Sequence, residues 1–227
     1  MDFHNAFSEV SMNDFALYTY FRSSASFRVR IAMKLKKLTY DYHAVHLLKD
    51  GGEQFKNDYD KLNPSREVPT LVHKGRAIAQ SMAILDYLDA LHPTPQLFPK
   101  DPYARAQVIQ ACEIINSGTQ PFVNTRILKL LTGAMGVSEE LKNKWVKDAL
   151  DHGSQTLEAH IAPHAKEFAL GTSVTAADCF ILPHLISSDR FGGTYSDCPT
   201  LCRLKESYLK IDAFALSMPD KQPDASA

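Results

Sequence analysis

The sequence predicts an α/β domain followed by an all-α domain, and three observations carry that reading. Strand-like and helix-like apolar patterns alternate as far as Leu91, four prolines crowd the stretch from Pro93 to Pro102, and no strand pattern follows. The order strand, helix, strand, helix, strand, strand, helix packs most economically as a mixed sheet covered by helices. The expected division is a disordered polar tail over 1–14, the α/β domain over 15–93 and a stiff proline-rich linker over 94–102. An all-helical domain over 103–218 and a short tail over 219–227 complete it. With 227 residues, 44% hydrophobic and 22% charged, the chain can fill two small cores.

Ala16 to Phe21, rich in aromatic residues, reads as a buried strand. Serines at 23, 24 and 26 interrupt the apolar run, and an amphipathic helix follows to about Leu38. Serine at such a junction caps a helix, because its oxygen accepts one of the unpartnered first-turn N–H groups. At the helical period Phe27, Ile31, Leu35 and Leu38 form one stripe, while Arg30, Lys34 and Lys37 fall on the opposite side. Arg28 falls inside the apolar arc, where a guanidinium has to be paired. A structural ion pair is the favoured reading of Arg28, and support of the serine loop is the alternative.

Thr39 to Leu47, with Tyr40, Tyr42 and Ala44 alternating, reads as a second strand, and Lys49-Asp50-Gly51-Gly52 as a turn. Glu53 to Leu62 forms a short helix with Phe55, Tyr59 and Leu62 on one face, ended by Asn63-Pro64. Glu67 to His73 is a strand whose early Pro69 belongs at a strand start or edge. After a turn and the short strand Ala77 to Gln80, Ser81 caps a helix with Ile84, Leu85, Leu88 and Leu91 on its apolar face. Beyond the prolines, Tyr103 to Leu131 is a long helical pattern kinked at Gln120-Pro121. Ser138 starts a helix running towards Ile161, Thr175 and Asp178 make a capping box for the next, and Pro199 to Leu209 is the last.

A formal net charge of −1 offers no electrostatic footprint for nucleic acid or an anionic membrane. No apolar run approaches bilayer length and the N-terminus lacks signal-peptide regions, so a cytoplasmic protein is expected. Cys112, Cys179, Cys198 and Cys202 include no Cys-x-x-Cys pair, the nine histidines include no His-x-x-x-His pair on a helix, and no metal is expected. The serine stretch is the candidate site. It brings hydroxyls, free helix amides and Arg22 to one point, a suitable place to hold a thiolate.

Several separated motifs then agree. Ser23-Ser24-Ala25-Ser26-Phe27-Arg28-Val29-Arg30-Ile31-Ala32 resembles the Ser-Ser-Cys-x-x-Arg-Val-Arg-Ile-Ala stretch of zeta-class glutathione transferases, the maleylacetoacetate and maleylpyruvate isomerases. Asp50 to Phe55, Asn63-Pro64, Val68-Pro69-Thr70-Leu71, Gln80-Ser81, Pro93-Thr94-Pro95 and Gln120-Pro121 match the same family in order. The resemblance implies a thioredoxin-like domain followed by a helical bundle, a homodimer, and glutathione as cofactor. It also implies isomerisation of a small dicarboxylate, maleylacetoacetate, in phenylalanine and tyrosine catabolism by reversible thiolate addition. Ser23 then stabilises the thiolate, with Ser24 beside it, and Ser23 to Arg28, including Ala25, Ser26 and Phe27, contribute to the glutathione site. Gln54, the Val68 backbone before a cis Pro69, Gln80 and Ser81 match tripeptide-binding positions, and Gln120 and Asn124 match polar positions lining the site. Arg190 and Arg22 are the candidates for gripping carboxylates, with Arg126 a third. Ala25 stands where zeta members carry cysteine, which excludes any step needing a protein thiol there. A general glutathione transferase acting on α-haloacids or peroxides, and a non-enzymatic interaction module of the same fold, are the alternatives.

Overall fold

The computed structural model describes residues 13–56 and 59–225. The disordered tail expected over 1–14 lies outside these residues apart from Asn13 and Asp14, and Asn13 donates to Asp41 Oδ1 at 2.6 Å. The chain divides into two compact units, one containing the chain up to Pro95 together with the segment from Leu216 onward, the other Gln96–Ala215.

The first unit contains β1 (Phe15–Thr19), α1 (Ser24–Leu35), β2 (Asp41–Ala44), α2 (Tyr59–Leu62), β3 (Thr70–His73), β4 (Arg76–Ala79) and α3 (Ser81–Leu91). The strands form one mixed sheet in the order β2-β1-β3-β4. β1 runs parallel to β2 and antiparallel to β3, which is antiparallel to β4. This is the mixed, helix-covered sheet expected from the element order. β1 alternates buried Phe15, Leu17 and Thr19 with half-buried Ala16 and Tyr18, the period of two that a strand imposes. β3 begins only at Thr70, since Pro69 has no N–H to give to a ladder. Leu17, Leu71, Ile31, Met33, Ile84, Leu85 and Leu88 are fully buried.

Three expectations about this unit are corrected. Arg30 does not face solvent: it is fully buried, because the C-terminal segment covers that side of α1, and its Nε and Nη2 each donate to Ser217 O at 3.4 Å. Phe55 is 59% exposed instead of sharing an apolar face with Tyr59 and Leu62, since Glu53–Phe55 is a separate 3₁₀ turn and not the first turn of α2. The segment expected as a polar tail packs back onto the unit, with Asp224 and Gln222 buried. The Asp224 carboxylate and the Gln222 side-chain amide are met by hydrogen bonds, so polarity did not signal exposure at these two residues.

The second unit is helical: α4 (Pro102–Asn116), α5 (Thr125–Thr132), α6 (Glu139–Ile161), α7 (Ala176–Phe191), α8 (Pro199–Tyr208) and α9 (Asp212–Ala215). The long pattern from Tyr103 to Leu131 is broken, not merely kinked. α4 ends at Asn116, Gln120–Val123 is a 3₁₀ turn, and α5 starts afresh with Asn124 Oδ1 capping Arg126 N at 2.9 Å. The capping box of Thr175 with Asp178 opens α7 as the spacing implied. Asp178 is fully buried and accepts from Ala169 N, Thr175 N, Thr175 Oγ1 and Tyr208 Oη at 2.5–2.9 Å, fastening α7 to α8. Glu158 on α6 accepts from Thr200 N and Leu201 N and so caps α8 from outside. At Gly153 a Cβ would sit 2.3 Å from Thr119 Oγ1, so only glycine lets α6 pass there.

Candidate active site

The sheet register gathers the predicted residues of the first unit. β1 ends beside Ala44 of the parallel β2, Tyr18 lies opposite Thr70 at the start of β3, and Thr70 lies opposite Ala79 at the end of β4. The turn Tyr20–Ser23, the loop leaving β2, Val68–Pro69 and Gln80–Ser81 therefore emerge at one end of the sheet. Two helices, α1 and α3, begin at that end, and each start presents amides without intrahelical acceptors and the positive end of a dipole.

Ser23 is the N-cap of α1, its Oγ accepting from Ser26 N at 3.2 Å. Capping uses an oxygen lone pair and leaves the Ser23 hydroxyl hydrogen available to donate. Ser24 and Ala25 are half-buried in the first turn, which carries no acidic residue. Ser26, Phe27 and Arg28 are buried, and Ser26 Oγ makes no hydrogen bond among the described residues. Arg22 is exposed, its guanidinium 4.9 Å from the Phe21 ring centre. Arg28 donates through Nη1 to Ser81 Oγ at 3.1 Å, joining the two helix starts across 53 residues of chain. That contact corrects the reading of Ser81 as a cap. The N-cap of α3 is Gln80, with φ 71° and no side-chain capping bond, while Ser81 is the first helical residue and its oxygen accepts from Arg28. A non-glycine residue at positive φ is costly and persists where its surroundings demand it.

Gln54 is buried. Its Nε2 approaches Leu47 O at 3.4 Å, and its Oε1 accepts no hydrogen bond among the described residues. The side chain lies over Gly52, where a Cβ would come within 2.6 Å of the amide, and the φ of 112° is what requires glycine there. Val68 and Pro69 are buried and the bond between them is cis, as the resemblance implied; Thr94–Pro95 is cis as well. Three residues that the sequence reading did not propose for the site, Tyr59, Asn63 and Thr70, hold the Val68 loop. Tyr59 Oη and Asn63 Nδ2 each donate to Glu67 O at 2.8 Å, and both reach Thr70 Oγ1, at 2.9 and 3.2 Å. Burial raises the Tyr59 pKa to about 12, so its donor persists at neutral pH. The sequence signals were Asn63 as a helix terminator, with Asn63 and Thr70 inside motifs shared with the family.

Gln120, Asn124, Arg126 and Arg190 belong to the second unit. Gln120 opens the 3₁₀ turn after α4 and is half-buried, as is Asn124. Arg126 is exposed on the first turn of α5. Arg190 is exposed in the last turn of α7, its guanidinium 4.8 Å from the Phe191 ring centre. Among the described residues no group of three or more His, Cys, Asp and Glu could hold a metal ion, and no helix is long and apolar enough to cross a membrane.

Comparison with known proteins matches residues 22–91 to the glutathione S-transferase N-terminal domain. The chain is 39% identical to the maleylacetoacetate isomerase of Dictyostelium discoideum over 94% of this chain and 97% of that protein. It is similar to a holo structure of a maleylpyruvate isomerase, described as a bacterial glutathione S-transferase of the zeta class, at TM-score 0.88 and 34% identity, covering 92% and 99% of the two chains. The maleylacetoacetate isomerase of Anaeromyxobacter dehalogenans, solved with dicarboxyethyl glutathione and citrate in its active site, matches at TM-score 0.81 and 35% identity over 95% and 100% of the chains.

Proposed function

The chain belongs to the glutathione S-transferase family, in its zeta class, and on that premise we propose that it isomerises maleylacetoacetate to fumarylacetoacetate with glutathione. The observation that carries this reading is the pair of helix starts, α1 and α3, joined by Arg28 and Ser81 at one end of the sheet. Both are built for anions, and an anionic tripeptide with a thiolate needs two such points. The residues present fit glutathione: Gln54 Oε1 is a buried acceptor without a partner among the described residues, and Ser23 keeps a hydroxyl hydrogen to donate. Gln54, Val68, Gln80 and Ser81 would hold the peptide, and Ser23 with the first amides of α1 would face the sulfur, with Ser24 to Arg28 completing that wall.

Glutathione supplies the thiol whose reversible addition to the cis double bond frees rotation about it. The protein's part is to favour the thiolate and to steady the acceptor's carboxylates. A hydroxyl donor and a helix dipole both stabilise the anion over the neutral thiol, which lowers the thiol pKa. Arg190 and Arg22, both exposed, are the proposed carboxylate partners, Arg126 is the third, and Gln120 and Asn124 are the proposed polar lining. The dicarboxyethyl adduct held by the Anaeromyxobacter enzyme supports a dicarboxylate substrate. Alanine at 25 is compatible with this chemistry, because glutathione brings its own sulfur. The family is also the ground for proposing a homodimer acting in the cytoplasm.

The test is isomerisation of maleylacetone with and without glutathione, in wild type and Ser23→Ala. Turnover is expected only with glutathione. The variant should lose about 10–100-fold in kcat/KM at neutral pH, the worth of a hydrogen bond to a charged group. Turnover independent of glutathione would refute the reading, and an unimpaired Ser23→Ala would refute the role of Ser23.

A further inference from the structure

The turn that presents Ser23 receives little support from its own neighbourhood. Tyr20, Phe21 and Arg22 lie beyond the last residue of β1 and before the first of α1. One local bond, Ser23 N to Tyr20 O at 3.0 Å, closes the turn. Tyr20 O, Phe21 O and Phe21 N are met by two buried charged side chains. Arg30 donates from Nη1 to Thr19 Oγ1 at 3.2 Å and Tyr20 O at 3.3 Å, and from Nη2 to Phe21 O at 3.1 Å. Asp224 accepts from Phe21 N through Oδ2 at 3.1 Å, while its Oδ1 accepts from Tyr42 Oη. The carboxylate thus bridges the turn to β2, from a position 203 residues along the chain from Phe21.

The segment bearing Asp224 is itself anchored. Ser217 O accepts from Arg30, and Gln222 Nε2 donates to Leu216 O at 3.1 Å and Met218 O at 2.8 Å, folding the segment on itself. Ala225 packs on the cluster of Tyr20, Phe21, Val45, Tyr59 and Val68. That cluster includes Val68, the residue whose backbone is proposed to hold the peptide of glutathione.

We propose that Asp224 is a positioning residue for the reaction: through its hydrogen bond to Phe21 N it fixes the turn that aims Ser23 at the thiolate. This rests on the Ser23 reading given above. Catalytic geometry is steep in distance, since about 1 Å of misplacement can cost ~10²-fold. A loosened turn should therefore weaken thiolate stabilisation before it unfolds the domain. Charge could act separately, because Arg30, Tyr40, Tyr42 and His46 also face this corner. Asparagine separates the two effects, as it is neutral but keeps an oxygen for Phe21 N.

Asp224→Ala should lower kcat/KM for maleylacetone about tenfold or more and move the pH profile and the ultraviolet thiolate titration of bound glutathione upward by about half a unit or more. Asp224→Asn should restore most of both. Tyr42→Phe, which frees the carboxylate from β2, should shift them the same way by less, and it keeps the test open should Asp224→Ala melt. In a Ser23→Ala background, Asp224→Ala should add nothing. Folded Asp224→Ala with wild-type kinetics and titration, or an Asp224→Asn no better than alanine, overturns the proposal while leaving Ser23 in place. An unshifted Ser23→Ala overturns both assignments, so the two failures read differently.

Discussion

Lys36 shows how a single buried polar residue is supplied with partners. Its side chain is fully buried, and its three ammonium hydrogens meet three acceptors: Asp89 Oδ1 at 2.8 Å, His92 O at 2.6 Å and Pro95 O at 2.8 Å. One ammonium thus ties the end of α1 to the end of α3 and to the chain leaving the first unit. Replacing it by methionine fills the volume but takes the ammonium away from the buried Asp89 carboxylate, so Lys36→Met should cost about 3–5 kcal/mol. Denaturant unfolding of the variant measures this, and Lys36→Met with Asp89→Leu together should recover part of the loss. A single variant within about 1 kcal/mol of wild type would mean that the ion pair with Lys36 contributes little to holding Asp89. Nothing in Lys34-Leu35-Lys36-Lys37 distinguishes this lysine from a solvated charge run. Arg28 was legible because the helical period placed it among apolar residues; Arg30 was not, because the same period placed it on what read as the polar face. The helical period reports one packing partner, and α1 has several.

At the scale of elements, the legible ones were those whose signals are local. α3 runs from Ser81 to Leu91 as its apolar stripe and His92-Pro93 stop imply, and α7 opens on its capping box. The break between α4 and α5 was read as a kink because the apolar period continues across it, while Asn124 capping a new helix is a geometric fact. β3 offers a test of its own. It ends on His73, which is buried, stacked on Phe15 with ring centres 4.4 Å apart, and hydrogen-bonded through Nδ1 to Tyr87 Oη at 2.6 Å. Burial, and then the nearby Lys74, hold its pKa below the ordinary 6.5. The unfolded chain thus takes up this proton at a higher pH than the folded one does, and stability falls as pH drops from 6.5 towards the lowered value. Thermal unfolding followed across that window should show a falling Tm in wild type and a flatter trace in His73→Phe, which keeps the stacking and cannot titrate. Equal slopes would assign the pH dependence to other groups.

At the scale of the whole molecule, the first unit is discontinuous in sequence: the chain leaves it at Pro95, builds six helices among the described residues, and returns at Leu216. The proline boundary was visible from composition, whereas the return was not. Met218 to Ala227 reads as polar and proline-containing, and its partners lie 182 to 203 residues away, beyond any periodicity. The returning segment completes a corner that the first ninety or so residues leave polar and open. Without it, Arg30 loses Ser217 O, Phe21 N loses Asp224, and the cluster around Tyr20 loses Ala225. Each buried donor left unsatisfied costs about 1–3 kcal/mol, and about 2–4 °C of Tm accompanies each kcal/mol in a protein of this size. A chain ending at Ala215 should therefore melt several degrees lower and lose glutathione-dependent turnover. Its loss should also be local: amide hydrogen exchange should quicken in β1, α1 and the Val68 loop, with α6 and α7 protected as in the full chain. Exchange that quickened equally in both units would mean that the segment supports the whole molecule, and unchanged exchange in β1 would mean that Arg30 and Phe21 find other partners.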